Sequence, residues 1–249
     1  MRAIILAAGV GRRLGDSVTE QPKCLLAIGE RTLLDRTLDA LEVCGVLDTV
    51  IVVGHLASQI EAAVDSRMSA SASSMRPPST IRTILNPDYR RGAILSLHTA
   101  REFLDRSVLI MDADVLFPVE LLGRLIVSPH ANCFLMDRSA RDDGEAQLLM
   151  CRAGRVVDIA RRLRGDYDEF GESIGFLKLD ARAAAVLRVL LERAVSQGQD
   201  AIEHEELYPA LMREVIIGAE PAEDLPWLEI DFPEDVERAR AMERAVKGC

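Results

Sequence analysis

The sequence predicts an α/β fold: a three-layer α/β/α sandwich on a mainly parallel sheet, with a small antiparallel insertion between about residues 130 and 180. Three observations predict it. Apolar runs of strand length alternate with segments of helical spacing through residues 1–129, the pattern of βαβ units whose sheet is covered on both faces. Beyond Pro129 the texture changes to short strand patterns with a hairpin signal. The 249 residues, 49% hydrophobic and 28% charged, are enough to bury one sizeable core. The expected organisation is one domain over residues 1–249, with a half at 1–129 and a second half at 130–249.

Residues 3–6 read as a buried strand that ends in Gly9 and Gly11. Residues 33–41 have helical spacing, with Thr32 as N-cap. Residues 49–53, rich in β-branched side chains, form the next strand, and 57–64 the helix behind it. A strand at 80–85, a helix at 94–104 and a strand at 107–111 follow, the last running into Asp112 and Asp114. The second half offers strands at 132–136, 147–151 and 155–159, with Ala153-Gly154 as a hairpin turn between the last two. A strand at 173–179, a strongly apolar helix at 181–195, a helix at 205–213 and a strand at 214–217 come next. A charged helix at 233–246 opens on Pro-Glu-Asp, so Glu234 and Asp235 read as complements to its dipole. The Ser/Ala/Pro-rich segment 66–79 reads as a surface loop.

The net charge of −10 disfavours a nucleic-acid partner, and no run approaches the ~18 apolar residues of a membrane span. The five cysteines are scattered and lack a C-x-x-C pair, which disfavours a disulfide framework or zinc site and suits a reducing cytoplasm. Any anionic ligand must therefore be met by local positive charge.

Such a locus follows the first strand. In Leu6-Ala7-Ala8-Gly9-Val10-Gly11-Arg12-Arg13-Leu14, two glycines let the backbone turn and present N–H groups to an anion. Leu14 stands where a dinucleotide fingerprint needs its third glycine, and no Gly-Lys-Ser/Thr follows, so the two commonest phosphate motifs are excluded. Pro22-Lys23 closes the segment. Lysine occurs only at Lys23, Lys178 and Lys247, against 30 Lys plus Arg in all, so an ammonium at this point stands out. As an exposed loop residue, Lys23 is expected to matter more for turnover than for folding.

Two acidic stations lie far along the chain. Asp112 and Asp114 close a strand, where open α/β sheets bind ligands, and their alternation points both to one side. Glu229 and Asp231 alternate likewise. Mg²⁺ is held by one or two carboxylates together with phosphate oxygens, and carboxylates from two distant segments suit it. Asp112 is open to a second reading, a hydrogen bond to the loop backbone. A basic cluster, Arg161-Arg162-Leu163-Arg164, stands out in an acidic protein, and each arginine reads equally well as a solvated charge.

The Leu6–Leu14 string with Pro22-Lys23-Cys24-Leu25-Leu26 resembles the signature of the sugar-phosphate nucleotidylyltransferase family. The resemblance implies a Rossmann-like fold of the nucleotide-diphospho-sugar transferase type. It also implies a loop (Leu6, Ala7, Ala8, Gly9, Gly11, Arg12) wrapped around a triphosphate, with Arg13 and Lys23 neutralising it. Mg²⁺ is implied on Asp114 and Asp231, and Asp112 is grouped with the nucleotide. The stretch 86–97, including Asn86 and Ser96, and the segments Gly171-Glu172-Ser173-Ile174-Gly175-Phe176 and 200–208 are similar to the branch containing phosphocholine and 2-aminoethylphosphonate cytidylyltransferases. That branch implies CTP as donor and a small phosphorylated or phosphonylated acceptor. The acceptor's anionic end would meet Arg161 and Arg162, and its other end Glu172, Asp200 and Glu203. With one Trp, three Tyr and six Phe, the chain is poor in the aromatics that a quaternary ammonium favours. Two alternatives stay open: a sugar- or polyol-phosphate enzyme using UTP, dTTP or CTP, and a non-enzymatic nucleotide sensor. A sensor has no need of Arg13, Lys23, Asp114 and Asp231 together.

Overall fold

β1 (Arg2–Ala7) lies at the centre of the sheet, and its sequence explains why: side chains on both its faces are apolar, so both faces must be covered. The computed structural model describes residues 1–11, 13–14, 20–71 and 79–247. Arg12 and residues 72–78 of the Ser/Ala/Pro segment lie outside the described residues.

After β1 come a 3-10 turn (Lys23–Leu25), the small ribbon β2 (Ala27–Ile28) and β3 (Arg31–Thr32), α1 (Leu33–Val43), β4 (Asp48–Val53), α2 (Ala57–Ser71), β5 (Thr80–Leu85), α3 (Ala93–Thr99) and β6 (Val108–Asp112). Thr32 caps α1 as its position predicts, its Oγ accepting the Asp35 N–H at 3.0 Å. The helix expected at 57–64 continues to Ser71 and takes in the start of the expected loop. The helix expected at 94–104 stops at Thr99 and continues as a 3-10 turn, Arg101–Phe103.

The second half supplies β7 (Val115–Leu116), α4 (Val119–Val127), β8 (Cys133–Asp137), β9 (Leu148–Arg152), β10 (Arg155–Ala160), β11 (Glu169–Leu179), α5 (Ala181–Ser196), α6 (Tyr208–Glu214), β12 (Gly218–Pro221), β13 (Leu228–Glu229) and α7 (Pro233–Lys247). The strand expected at 214–217 falls instead at Gly218–Pro221. Glu214 ends α6, while the apolar Ile217 is buried just ahead of the strand.

Among the described residues, nine strands share one mixed sheet. Its parallel part runs β5-β4-β1-β6, and β11 then pairs antiparallel with β6. β9 joins the first half of β11, β8 also pairs with β11, β10 follows β9, and β12 follows β8 in parallel. The antiparallel part is thus a continuation of the main sheet.

Strand alternation splits the core in two. Ile4 and Val52 pack on one face with Ile94, Leu97, Leu187 and Leu191. Ala3, Ile5 and Ile51 pack on the other with Leu34, Leu38, Ile60 and Leu121. Helices therefore cover both faces. No described helix is long and apolar enough to cross a membrane. The chain leaves β1 outward to β4 and β5, then returns to β6 on the opposite side of β1. Connections after β1 and β6 therefore diverge, and the crevice between them is the expected ligand position of such a sheet.

The β9–β10 turn uses Ala153 and Gly154 at φ 49° and 72°. Alanine pays a steric cost in that left-handed region, which asparagine tolerates better. Ala153→Asn is expected to stabilise the protein by up to about 1 kcal/mol, a rise in Tm of roughly 2–4 °C, at unchanged turnover. A melting curve checks it, and a lower Tm would refute the turn assignment.

Candidate active site

The glycine loop leaves the end of β1 directly into the crevice. Gly11 takes a left-handed φ of 66°, and the Leu14 N–H closes the turn on the Gly11 carbonyl at 3.0 Å. Leu14 is buried with Ile28, Leu33, Leu116, Leu228 and Ile230, an apolar cluster separate from the two main cores. This cluster ties the loop's far end to the second acidic station. The 3-10 turn Lys23–Leu25 buries Cys24 and Leu25, which leaves the Lys23 side chain for the cleft.

Lys23 Nζ donates to Asp114 Oδ2 and to Asp231 Oδ1, each at 2.7 Å. Arg13 Nη1 donates to Asp231 Oδ2 at 2.6 Å, and its guanidinium lies over the Phe232 ring. Lys23 is accordingly not the exposed lysine expected from the loop: its side chain is only 14% accessible. Burial by itself would lower the ammonium's pKa, but Asp114 and Asp231 outweigh it and hold the group above its ordinary value. Burial would raise Asp231, yet Lys23, Arg13 and Arg161 together hold it below the usual carboxylate range.

The backbone brings these distant residues together. β13 pairs antiparallel with β7, Leu228 opposite Leu116 and Glu229 opposite Val115, and the Ile230 N–H donates to the Asp114 carbonyl at 3.0 Å. Asp235, expected only to complement a helix dipole, does more. Its buried carboxylate accepts the N–H groups of Asp231 and Phe232 at 3.1 and 2.9 Å and so fixes the backbone that carries Asp231. An Asp four residues after a candidate ligand, in the first helical turn, was the available signal for it.

Asp114, Glu229 and Asp231 each offer a carboxylate oxygen, all within 4.8 Å of one another. Glu229 keeps an exposed edge, yet desolvation by the surrounding cleft, with the Asp114 and Asp231 charges, pushes its carboxyl up to about 8. An all-oxygen set of this kind fits a hard divalent cation, and the Lys23 ammonium shows that positive charge is accommodated there. Asp112 does not join this set. β6 ends at Asp112, so strand alternation does not extend to Asp114, and Asp112 groups instead with His204 and Glu205.

The cleft has two lobes of about 590 and 570 Å³, which share Arg13, Glu145, Ala146, Arg161, Glu229 and Asp231. Leu6, Ala8, Gly9, Gly11, Ser96, Asp112, Asp114 and Glu203 line the first lobe. Ala7 packs away from it in the core. Asn86 is buried behind Ser96 and donates to its Oγ at 3.0 Å. Glu172 lines the second lobe and Ser173 the first, because neighbouring strand residues face opposite ways. The grouped acceptor residues are therefore divided. Arg161 stands between the lobes and Glu172 faces the second. Glu203 faces the first and caps the 3-10 turn His204–Leu207. Asp200 is paired with Arg91, and Arg162 with Asp142; neither Asp200 nor Arg162 lines a lobe.

Residues 3–177 match the family described as the MobA-like NTP transferase domain. The chain is 29% identical over 248 residues to CMP-5'-(3-aminopropyl)phosphonate synthase of Streptomyces rubellomurinus, covering 96% of this chain and 38% of that protein. It is 27% identical over 251 residues to the bifunctional IPC transferase and DIPP synthase of Thermococcus kodakarensis, covering 99% of this chain and 52% of that protein. The chain thus spans about half or less of the length of these curated relatives. Its fold is similar to the solved CTP:phosphocholine cytidylyltransferase from Streptococcus pneumoniae, with a TM-score of 0.75 at 21% identity over 97% of this chain and 98% of that one.

Glu172 stands opposite Asp137 in the β11–β8 pairing. Desolvation, then the Asp137 and Asp143 charges, push its carboxyl up to about 7. The folded state therefore holds this proton more tightly than the unfolded chain, and stability falls as pH rises from about 4.5 to about 7. Glu172→Gln, neutral throughout, is expected to gain on the order of 2–3 kcal/mol over wild type at pH 8 and nothing below the unfolded value. Urea titrations at pH 4.5 and 8 measure this; equal gains at both would rule out the cause.

Proposed function

The chain belongs to the MobA-like NTP transferase domain family and is a nucleotidyltransferase; from that premise we propose that it moves CMP from CTP to a small phosphorylated or phosphonylated acceptor bearing an amine or hydroxyl, releasing pyrophosphate. The observation that carries this reading is the Lys23 ammonium held between Asp114 and Asp231 beside the glycine loop. Attack by one phosphate-type anion on another is limited by charge, and catalysis then rests on neutralisation and in-line placement. Lys23, Arg13 and Arg161 converge on that point from three segments.

Glycine at position 9 is not required by packing, since a Cβ there would meet no protein atom. The space it leaves lies in the cleft, where backbone N–H groups can approach a phosphate closely. We assign Leu6, Ala8, Gly9, Gly11 and Ser96 to the nucleotide, with Asn86 positioning Ser96. Asp114, Asp231 and Glu229 would hold Mg²⁺, which when bound supplies positive charge to the phosphates. Lys23, held by two of the same carboxylates, would present its ammonium to the phosphate oxygens. Arg13 and Lys23 stabilise the transferring and leaving groups, and Arg161 receives the acceptor's anionic end. Carboxylates beyond Arg161 receive its amine or hydroxyl end.

CTP is favoured as donor because the Streptomyces relative's name specifies a CMP-phosphonate product. A pyrophosphate-release screen of CTP, UTP, dTTP and GTP against aminoalkylphosphonates, phosphocholine, inositol 1-phosphate and hexose 1-phosphates tests it. The expected maximum in kcat/KM is CTP with an aminoalkylphosphonate. A maximum for dTTP or UTP with a hexose 1-phosphate would overturn the reading. Asp114→Ala and Asp231→Ala are each expected to lower kcat/KM by about 10²–10³-fold with folding retained. Near-normal turnover of either variant at saturating Mg²⁺ would remove that residue from the site.

A further inference from the structure

Asp112, His204 and Glu205 come from the end of β6 and from the 3-10 turn after α5, and each offers one polar atom to a common point in the first lobe. The three atoms lie within 4.8 Å of one another. His204 is 93% buried, and its Nδ1 has no hydrogen-bond partner in the protein. Glu205 Oε2 is also buried without one, although the two atoms stand only 3.1 Å apart. They are close enough to bond but are not aligned on each other. Buried polar atoms left in this state cost free energy unless something else meets them.

The surrounding backbone is shaped to create this point. Gly92 has no side chain, and a Cβ there would lie 2.6 Å from the Asp200 carbonyl oxygen; its absence lets the 200–205 segment dock against the start of α3. The Ile94 N–H ties the two together by donating to the Ile202 carbonyl at 3.2 Å. On the other side, a Cβ at Gly175 would lie 2.3 Å from Asp112 Oδ2, so only glycine leaves that carboxylate its place. Gly175 has φ 78°, a second reason for glycine.

We propose that Asp112, His204 and Glu205 form a primary-ammonium subsite that selects an acceptor ending in –CH₂–NH₃⁺. This rests on the cytidylyl-transfer reading for the identity of the molecule that carries the amine. A primary ammonium has three N–H donors and no acceptor, and the triad faces it with two carboxyl groups and an imidazole nitrogen. Charge favours the match, since a cation relieves the crowding of the Asp112 and Glu205 carboxyl groups. A trimethylammonium has no N–H to give and would leave both carboxyl groups unmet, and a hydroxyl has only one hydrogen to give. The subsite and Asp114 line the same lobe. A short carbon linker therefore lets one acceptor reach both the ammonium subsite and the reacting phosphate.

Titration calorimetry on the CTP-bound protein, without divalent cation so that no transfer occurs, tests it with 3-aminopropylphosphonate and propylphosphonate. Wild type is expected to bind the amine at least about tenfold more tightly, the value of one charge-assisted hydrogen bond. Glu205→Gln and Asp112→Asn are each expected to erase most of that difference while leaving propylphosphonate affinity in place. Equal binding of the two ligands by wild type, or a preference that survives both substitutions, would overturn the subsite. So would a stoichiometric transition metal in the purified protein that Glu205→Gln removes. Amine preference without CMP transfer in the pyrophosphate screen would leave the subsite standing and defeat the transfer reading.

Discussion

Two carboxylates, from residues 114 and 231, flank one ammonium, and the rest of the cleft is arranged around that contact. Their oxygens lie within 4.8 Å of each other. Two unit charges at such a separation repel by about 3 kcal/mol at an effective dielectric near 20. The fold therefore has to hold them together and supply a counter-charge. It holds them with the β7–β13 ribbon, the Ile230–Asp114 backbone bond and the Asp235 carboxylate under Asp231. It supplies the charge through Lys23, whose neighbours Cys24 and Leu25 are buried and leave the turn little freedom. The small apolar cluster around Leu14 and Ile230 joins the loop to this assembly, so loop position and carboxylate position are set together.

The sheet explains why chemistry gathers at this edge. Reversal of the chain direction beside β1 opens a crevice, and the antiparallel β11 then forms its far wall. β11 also divides the space beyond. Successive residues of a strand face opposite ways, so Glu172 and Ser173 serve different lobes although they are adjacent in sequence. The family resemblance groups Glu172 with Asp200 and Glu203; the strand's alternation turns Glu172 away from the lobe that Glu203 lines.

Features governed by local pattern were legible in the sequence. β1, β4, β5 and β6 announce themselves as apolar runs, Thr32 as a cap and Ala153-Gly154 as a turn. α4 was not anticipated, because Pro118 and Gly123 interrupt the pattern around a helix whose buried residues are Leu121, Leu122 and Leu125. β12 was misplaced because Gly-Ala-Glu-Pro has little strand propensity, and its pairing with β8 is a tertiary effect. Within the site, the glycine loop and the two acidic stations carry motif signals. Asp235 carries only its spacing from Asp231, and an acidic residue in a first helical turn already has an ordinary explanation. His204 and Glu205 belong to the acidic 200–208 stretch read as an acceptor pocket, but their meeting with Asp112 depends on glycines 92 and 175. The contacts those glycines permit cannot be read from sequence spacing.

Charge gives the last step of the argument. The protein carries a net −10 and still has to admit a nucleoside triphosphate. Lys23, Arg13 and Arg161 supply positive charge locally, around Asp231. Two carboxylate clusters in the same cleft would work against any purely anionic substrate that had to pass them. They do not work against substrates that bring positive charge along. In the proposed reaction a divalent cation accompanying the triphosphate would answer the cluster at Asp114, Glu229 and Asp231. An ammonium on the proposed acceptor would answer the one at Asp112, His204 and Glu205. On that proposal a zwitterionic acceptor would be favoured at both ends, whereas a sugar phosphate, with no cationic group, would leave the second cluster with nothing to balance it.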